Sequence, residues 1–166
     1  RDMNYRDIEI NRIHWLISRQ CNMAIKDTAV SRKMSASPYE LVSCLQLSGV
    51  LERIGDYAIS VSNYLLIISE SKSFCSVGED IHALGMGVVD LLTRSIESWI
   101  NKDMAMAEQV IKEADEIVQK VVNNVESNVK AHNVPEYVRE VVLFSLKRVA
   151  EGCKDISDLT FNMAMD

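Results

Sequence analysis

Apolar residues recur at intervals of three and four along most of this chain, and that spacing is typical of helices with one buried face. The pattern predicts five long helices, over residues 1–22, 38–70, 78–100, 103–131 and 134–164. In the second helix it predicts a buried stripe of Leu47, Val50, Ile54, Tyr57, Val61, Leu65 and Ile68. In the first helix we expect Ile10, Ile13 and Ile17 to lie on one apolar face.

Capping signals mark where the later helices begin. Ser37 and Glu40 form a capping box around Pro38, which costs no hydrogen bond at a first helical position. Similar boxes occur at residues 76–79 and 133–136, and Asp103 is placed to cap the fourth helix. Between helices we expect a less regular connection at 23–37, with room for a helical turn, and a serine-rich linker at 71–77.

An internal repeat gives the domain organisation. The segment LERIGD at 51–56 aligns with LKRVAE at 146–151, an offset of 95 residues that continues beyond both segments. A weaker match, at an offset of 108, places the first helix over the fourth, with Asp7 over Asp115. We therefore predict an all-α fold of two tandem three-helix-bundle repeats, at residues 1–71 and 77–166. The first repeat has only two of its three helices, so we expect its first helix to lie upstream of residue 1.

Two of these segments carry a family resemblance. LERIGDYA at 51–58 resembles the third-helix signature of the PhoU family, and KRVAE at 147–151 with DISD at 155–158 is similar to the second-repeat form of archaeal members. The resemblance implies tandem three-helix units and a cytoplasmic regulator of phosphate uptake and homeostasis. It further implies that the protein acts as a homodimer with a phosphate ABC transporter and a sensor kinase. Some family members bind iron or another divalent metal through acidic motifs on these helices.

Three acidic residues form the main candidate metal site. Glu52 and Asp56 are four residues apart, so both lie on one helix face, where two like charges repel unless a cation neutralises them. Carboxylate oxygens are suitable ligands for Mg²⁺, Mn²⁺ or iron. Gly55 weakens the helix between them and predicts a close approach by another helix. Asp7 on the first helix would complete the set of Asp7, Glu52 and Asp56.

A solvated acidic stripe, with Arg53 paired to Asp56, is the alternative interpretation of the same spacing. The second repeat has Lys147 in place of the first carboxylate, and Lys147 can pair with Glu151 on the next turn. The weaker metal candidates are therefore Asn11, Asp115, Glu151 and Asp155.

Composition and missing motifs narrow the function further. A net charge of −6 and a pI near 5.1 disfavour direct contact with nucleic acid or anionic lipid. The longest uncharged stretch, 57–69, is too short to span a bilayer, so we expect at most peripheral membrane contact. Four cysteines without a CxxC pattern fit buried or half-buried thiols in a reducing compartment.

Enzymatic chemistry has no support in the sequence. The chain shows no paired nucleophile and base, no glycine-rich phosphate loop, and a single Glu-x-x-His, at 79–82, where di-iron bundles need two. A regulatory scaffold is favoured over two alternatives, a metal-dependent carboxylate enzyme in a helical bundle and a metal-free helical adaptor. We expect Trp15 and Trp99 to be core or interface anchors, and we expect the incomplete first repeat to self-associate. Its open faces would carry Ile10, Ile13, Ile17, Leu47, Ile54 and Leu65.

Overall fold

The computed structural model describes residues 2–69, 74–127 and 136–164, and these residues are almost entirely helical. The predicted all-α fold and its five long helices are confirmed, and a short sixth helix follows the first. In chain order the helices are α1 Asp2–Lys26, α2 Thr28–Met34, α3 Pro38–Ser69, α4 Phe74–Asn101, α5 Met104–Ser127 and α6 Glu136–Ala164.

Two of the predicted helix starts are confirmed by their hydrogen bonds. The backbone N–H of Glu40 donates to Ser37 Oγ at 3.1 Å, and the N–H of Ser37 donates to Glu40 Oε2 at 2.8 Å. These bonds from Ser37 hold the pKa of the Glu40 carboxyl below its usual value. Asp103 caps α5 by accepting a hydrogen bond from the Met106 N–H at 3.0 Å.

Two predicted connections differ from the structure, and two further predicted boundaries fall on residues that the structure does not describe. Helix α4 begins at Phe74, so the predicted box at 76–79 lies inside the helix and residues 74–77 are not a linker. The connection expected at 23–37 is mostly helical, because α1 continues to Lys26 and Asp27 then caps α2 with a 2.8 Å bond from the Ala29 N–H. The box at 133–135 and the end of the fourth helix beyond 127 lie outside the described residues.

Helices α4, α5 and α6 pack against one another as a three-helix bundle, and α3 lies against α6 along an extensive contact. Helix α1 packs on α3, as α5 packs on α6, which is the correspondence that the two sequence offsets predict. The central core runs through α3, α4, α5 and α6, with Leu47, Val50 and Ile54 of α3 joining the buried residues of the other three. The number of repeats, and the division into 1–71 and 77–166, stay predictions.

Two contacts tie α3 to the α4–α6 bundle. Gly152 of α6 lies against Ile54, and a Cβ atom at residue 152 would stand 3.0 Å from two carbon atoms of that side chain. Near the other end of α3, Trp99 Nε1 donates a hydrogen bond to Ser43 Oγ at 3.1 Å. Trp99 is half-buried against the core, as an anchor should be.

The buried face of α1 differs from the predicted one. Ile10 and Ile17 are half-buried as expected, but Ile13 is 57% exposed, and His14 lies on the packed face instead. His14 Nδ1 is 3.1 Å from Ser48 Oγ on α3. Trp15 is not a core anchor, since its side chain is 74% exposed, and its role as an interface anchor stays a prediction.

The faces expected to be open on α3 are partly covered. Leu47 and Ile54 are buried because α6 packs over them, and Leu65 is half-buried beside the core. Cys21 and Cys153 are buried and Cys44 is half-buried, in agreement with prediction, while Cys75 has no described side chain. Within the described ranges, no helix is long and apolar enough to cross a membrane.

Candidate functional site

The candidate site lies where α1 crosses α3, and a glycine sets how closely the two helices approach. A Cβ atom at Gly55 would stand only 3.1 Å from Ile10 Cδ1 and 3.4 Å from Ile10 Cγ2. Gly55 is buried at this crossing, so the close approach predicted from its position in the helix is confirmed. Because Ile10 packs on Gly55, Asp7 on the preceding turn of α1 lies close to Asp56 on α3.

Three carboxylates meet beside this crossing. Asp7 of α1 and Glu52, one turn back on α3, both lie near enough to Asp56 to act on its carboxyl group. The pKa of the Asp56 carboxyl is raised, first because packing withdraws it from water and then because Glu52 and Asp7 are negative. A hydrogen bond with the side chain of Asp7 raises it further, since that bond favours the protonated form. The structure thus gathers Asp7, Glu52 and Asp56 into one acidic cluster.

The carboxylate oxygens of this acidic cluster are of the type that binds hard cations such as Mg²⁺. Their present positions do not form a complete set of metal ligands. In the part of the chain that the structure describes, no group of three or more His, Cys, Asp or Glu side chains is arranged to hold a metal ion. A hydrogen bond links the side chains of Asp7 and Asp56. Asn11 is half-buried one turn further along α1. Metal binding by these residues stays a prediction.

Two of the three weaker candidates in the second half, Asp115 and Glu151, have basic partners. Asp115 forms an ion pair with Lys154, which reaches it from α6. Glu151 pairs with Arg148 and lies 3.7 Å from Lys147 Nζ, as the sequence predicts for the latter. Asp155 is exposed and borders a polar cleft among α1, α3 and α6.

The repeat offsets show how the two halves differ. The offset of 108 places Asp7 over Asp115, and the offset of 95 places Asp56 over Glu151, so the same two acidic positions occur in both halves. In the second half the neighbouring positions are Lys147 and Lys154. The first half has Glu52 and Ile59 at those positions, which adds a third negative charge and removes both lysines.

Arg53 does not pair with Asp56, in contrast to the solvated-stripe alternative. Its Nη1 atom lies 3.7 Å from the position that a Cβ atom of Gly49 would take, and His14 Cε1 lies 3.8 Å from the same point. The two side chains border the same polar cleft as Asp155, which is lined also by Ser18, Asn22 and Gln46. Sequence reasoning missed this cleft because its residues come from three helices and form no local motif.

Comparison with known families matches the part of the chain that carries the acidic cluster. Residues 1–65 match the family model described as the PhoU domain. Over these residues the chain is similar to a PhoU domain. No curated protein and no solved structure matches the chain.

The PhoU match spans α1, α2 and all but the last residues of α3. It therefore includes Asp7, Glu52 and Asp56, together with the Gly55 crossing that brings them together. Helices α4–α6 lie outside the matched residues, and their relation to the PhoU domain rests on the internal repeat and on their packing.

The raised pKa of Asp56 predicts a pH-dependent stability. Because folding disfavours the ionised form, the stability that protonated Asp56 contributes is present at acid pH and is lost as the pH rises through its folded-state pKa. With a chelator present, Asp56→Asn should therefore stabilise the protein at neutral pH, by about 0.5 kcal/mol for the relief of like charges. Urea unfolding of the wild type and of Asp56→Asn, from acid to neutral pH, measures the difference in their free energies of unfolding. A stabilisation that shrinks as the pH rises would contradict this origin.

Proposed function

We propose that this protein regulates phosphate uptake as a non-enzymatic helical scaffold in the cytoplasm. In this role it contacts a phosphate ABC transporter and a signalling partner such as a sensor kinase. The match to the PhoU domain supports the phosphate-regulatory role, and the long, rigid helices with extensive side faces suit a scaffold. The proposal includes a structural or sensing metal ion, iron or another divalent cation, at the acidic cluster.

The observation that carries the metal part is the comparison between the two halves. At corresponding positions, Asp115 and Glu151 are neutralised by lysines and an arginine. The pKa of Asp56, in contrast, is raised by desolvation and then by two neighbouring negative charges. A cluster of like charges weakens the α1–α3 contact unless a cation binds there. A divalent ion would play in the first half the part that Lys147 and Lys154 play in the second.

Asp7, Glu52 and Asp56 would hold this ion, and its chemistry would be electrostatic. The bound charge would compensate the three carboxylates and link α1 to α3 at their crossing. Protons compete with the metal for these carboxylates, because a metal ligand must be deprotonated. Metal binding should therefore weaken as the pH falls and the carboxylates become protonated.

Metal analysis of protein purified without chelator tests this part directly. We expect bound iron or another divalent metal, and a rise in Tm of about 5 °C when the free ion exceeds its Kd about a hundredfold. The double variant Glu52→Gln/Asp56→Asn should lose both the metal and the stabilisation. Glu151→Gln is the matched control, because it removes the corresponding carboxylate of the second half and should leave the metal bound. Metal content that is the same in all three proteins would argue against the acidic cluster as the site.

The regulatory part is tested in cells grown with abundant phosphate. Loss of the whole protein should derepress phosphate uptake, because a scaffold acts through its contacts and not through one catalytic side chain. Uptake of labelled phosphate in a deletion strain, with and without the wild-type protein restored, measures the effect. Normal repression in the deletion strain would refute the role. Restored repression by the metal-free double variant would instead identify a metal-independent adaptor.

A further inference from the structure

The polar cleft among α1, α3 and α6 has a volume of about 530 Å³ and includes none of the residues of the acidic cluster. Gly49 of α3 borders the cleft and, without a side chain, leaves space open there. Arg53 Nη1 and His14 Cε1 lie 3.7 Å and 3.8 Å from the position that a Gly49 Cβ atom would take. A guanidinium group and an imidazole ring therefore meet at this point of the cleft.

The internal repeat explains why no side chain fills this space. The offset of 95 aligns Gly49 of α3 with Phe144 of α6, and Tyr57 of α3 with Gly152 of α6. Tyr57 and Phe144 pack edge to face between the two helices, with ring centroids 6.4 Å apart. When the roles of α3 and α6 are exchanged, the corresponding pair is Gly49 and Gly152, which has no ring to fill the space.

The same exchange leaves Arg53 without the partners of its counterpart, Arg148. Arg148 Nε donates a hydrogen bond to Tyr57 Oη at 3.2 Å, and its guanidinium group also pairs with Glu151. For Arg53, the residue aligned with Tyr57 is a glycine, and the acid aligned with Glu151 belongs to the acidic cluster. The ion pairs among the described residues do not include Arg53, so its charge is available to a ligand.

His14 offers one of its ring nitrogens to a ligand. The hydroxyl of Ser48 donates its hydrogen atom to the carbonyl of Leu45 at 2.9 Å. Ser48 Oγ, which lies 3.1 Å from His14 Nδ1, therefore accepts in that second contact, and Nδ1 carries a hydrogen atom. The other nitrogen, Nε2, is then an acceptor in the neutral ring and a donor in the protonated ring.

The other polar side chains of the cleft set what kind of ligand fits. Ser18 and Gln46 can donate or accept, and Asn22 Nδ2 uses one hydrogen atom for the Ser18 carbonyl at 2.8 Å. Asp155 is exposed at the cleft and, as a carboxylate, only accepts. An anion without a hydrogen atom is attracted by Arg53 but repelled by Asp155. An anion that carries a hydrogen atom can donate it to Asp155 in a hydrogen bond.

We propose that this cleft binds a small oxyanion that retains a proton, and that inorganic phosphate is this ligand. Arg53 binds two phosphate oxygen atoms through its planar fork of N–H groups, the geometry that a guanidinium group favours. Asp155 accepts a hydrogen bond from the phosphate hydroxyl. Phosphate keeps at least one proton at neutral pH and sulfate keeps none, so the cleft distinguishes two anions of the same shape. The choice of phosphate rests on the proposed function, which the binding of phosphate to the regulator itself deepens.

Titration of the 166-residue chain with inorganic phosphate, followed by the NMR shifts of its backbone amides, tests the proposal. A chelator is present throughout, so that no metal ion at the acidic cluster binds the phosphate. We expect saturable shifts around Gly49 and Arg53 with a Kd of about 1 mM, because water competes for each hydrogen bond in an open cleft. Sulfate at the same ionic strength should bind at least roughly tenfold more weakly, because it has no hydrogen atom to donate to Asp155.

Three variants locate the binding site. Gly49→Phe gives α3 the residue that α6 has at the aligned position, and it should abolish phosphate binding because the ring fills the cleft without changing any charge. Arg53→Gln should weaken phosphate binding at least roughly tenfold, because the fork of charged donors is lost. Arg148→Gln is the matched control, since the aligned arginine is paired with Glu151 and lies outside the cleft, so the Kd should not change. Circular dichroism checks that each variant remains folded.

Asp155→Asn tests the selectivity separately. An amide donates as well as accepts and carries no charge, so sulfate should then bind within about twofold of phosphate. No saturable shifts in the wild type at about ten times the expected Kd would overturn the proposal. Equal binding of phosphate and sulfate by the wild type, or phosphate binding that survives Gly49→Phe, would also overturn it. These results leave the deletion-strain experiment unaffected, because a scaffold can repress uptake without binding phosphate. Normal repression in that strain would refute the regulatory role and leave the binding site intact.

Discussion

Replacing Gly152 with leucine should lower the free energy of unfolding by about 3 kcal/mol, the upper end of the usual cost of overpacking a buried site. Gly152 is buried where α6 meets α3, and even a Cβ atom there would stand 3.0 Å from Cγ1 and Cδ1 of Ile54. The rest of the leucine side chain would force Ile54 out of its place in the core and would separate the two helices. Urea unfolding followed by circular dichroism measures the loss.

Two variants distinguish this steric effect from a general effect of removing glycine. Gly85→Ala on α4 is the control, because no atom lies within 4 Å of its added Cβ, so it should stabilise the protein by up to about 1 kcal/mol through helix propensity. Ile54→Ala should partly rescue Gly152→Leu, because the new side chain can occupy the volume that Ile54 leaves. If the two substitutions destabilise additively, the close contact of α3 with α6 is not the cause.

Much of the fold can be predicted because its helices carry strong local signals. The buried stripe predicted on α3 is confirmed from Leu47 through Leu65, since these residues repeat without interruption on one face. The buried face of α1 is predicted less well. Ile13 and His14 are adjacent, and hydrophobicity favours the isoleucine, but Ser48 on α3 gives His14 a hydrogen bond and draws it inward. Which of the two residues faces inward depends on the neighbouring helix, and the periodicity of α1 alone contains no information about that helix.

In the candidate site, too, contacts within one helix can be predicted from the sequence and contacts between helices cannot. Spacing alone puts Glu52 and Asp56 on one face, and Lys147 beside Glu151, because those pairs belong to single helices. No local spacing predicts the ion pair of Lys154 with Asp115, since that contact joins α5 to α6 and needs the packing of both. The repeat alignment does not remove this limit, because it relates α1 to α5 and α3 to α6 and says nothing of the contact between α1 and α3.

Trp99→Ala should lower the free energy of unfolding by about 3 kcal/mol, the low end of the range for truncating a packed tryptophan. The indole packs against the central core, and its Nε1 donates a hydrogen bond to Ser43 Oγ across the α3–α4 contact. The truncation therefore leaves a cavity and an unpaired serine hydroxyl that is 4% exposed. Trp99→Phe separates the two contributions, since it retains most of the packing and should cost only about 1 kcal/mol for the lost hydrogen bond.

The matched comparison is Trp15→Ala, because the sequence predicts both tryptophans to be anchors and the structure assigns them opposite environments. Trp15 is 74% exposed on α1, so its truncation should change the unfolding free energy by no more than about 0.5 kcal/mol. The same small effect is expected at low and at high protein concentration. Thermal and urea unfolding of both variants at low and high protein concentration measure the contrast. A Trp15→Ala loss that grows with concentration would place Trp15 in an interface, and equal losses for the two tryptophans would mean that Trp99 does not anchor α4 to α3.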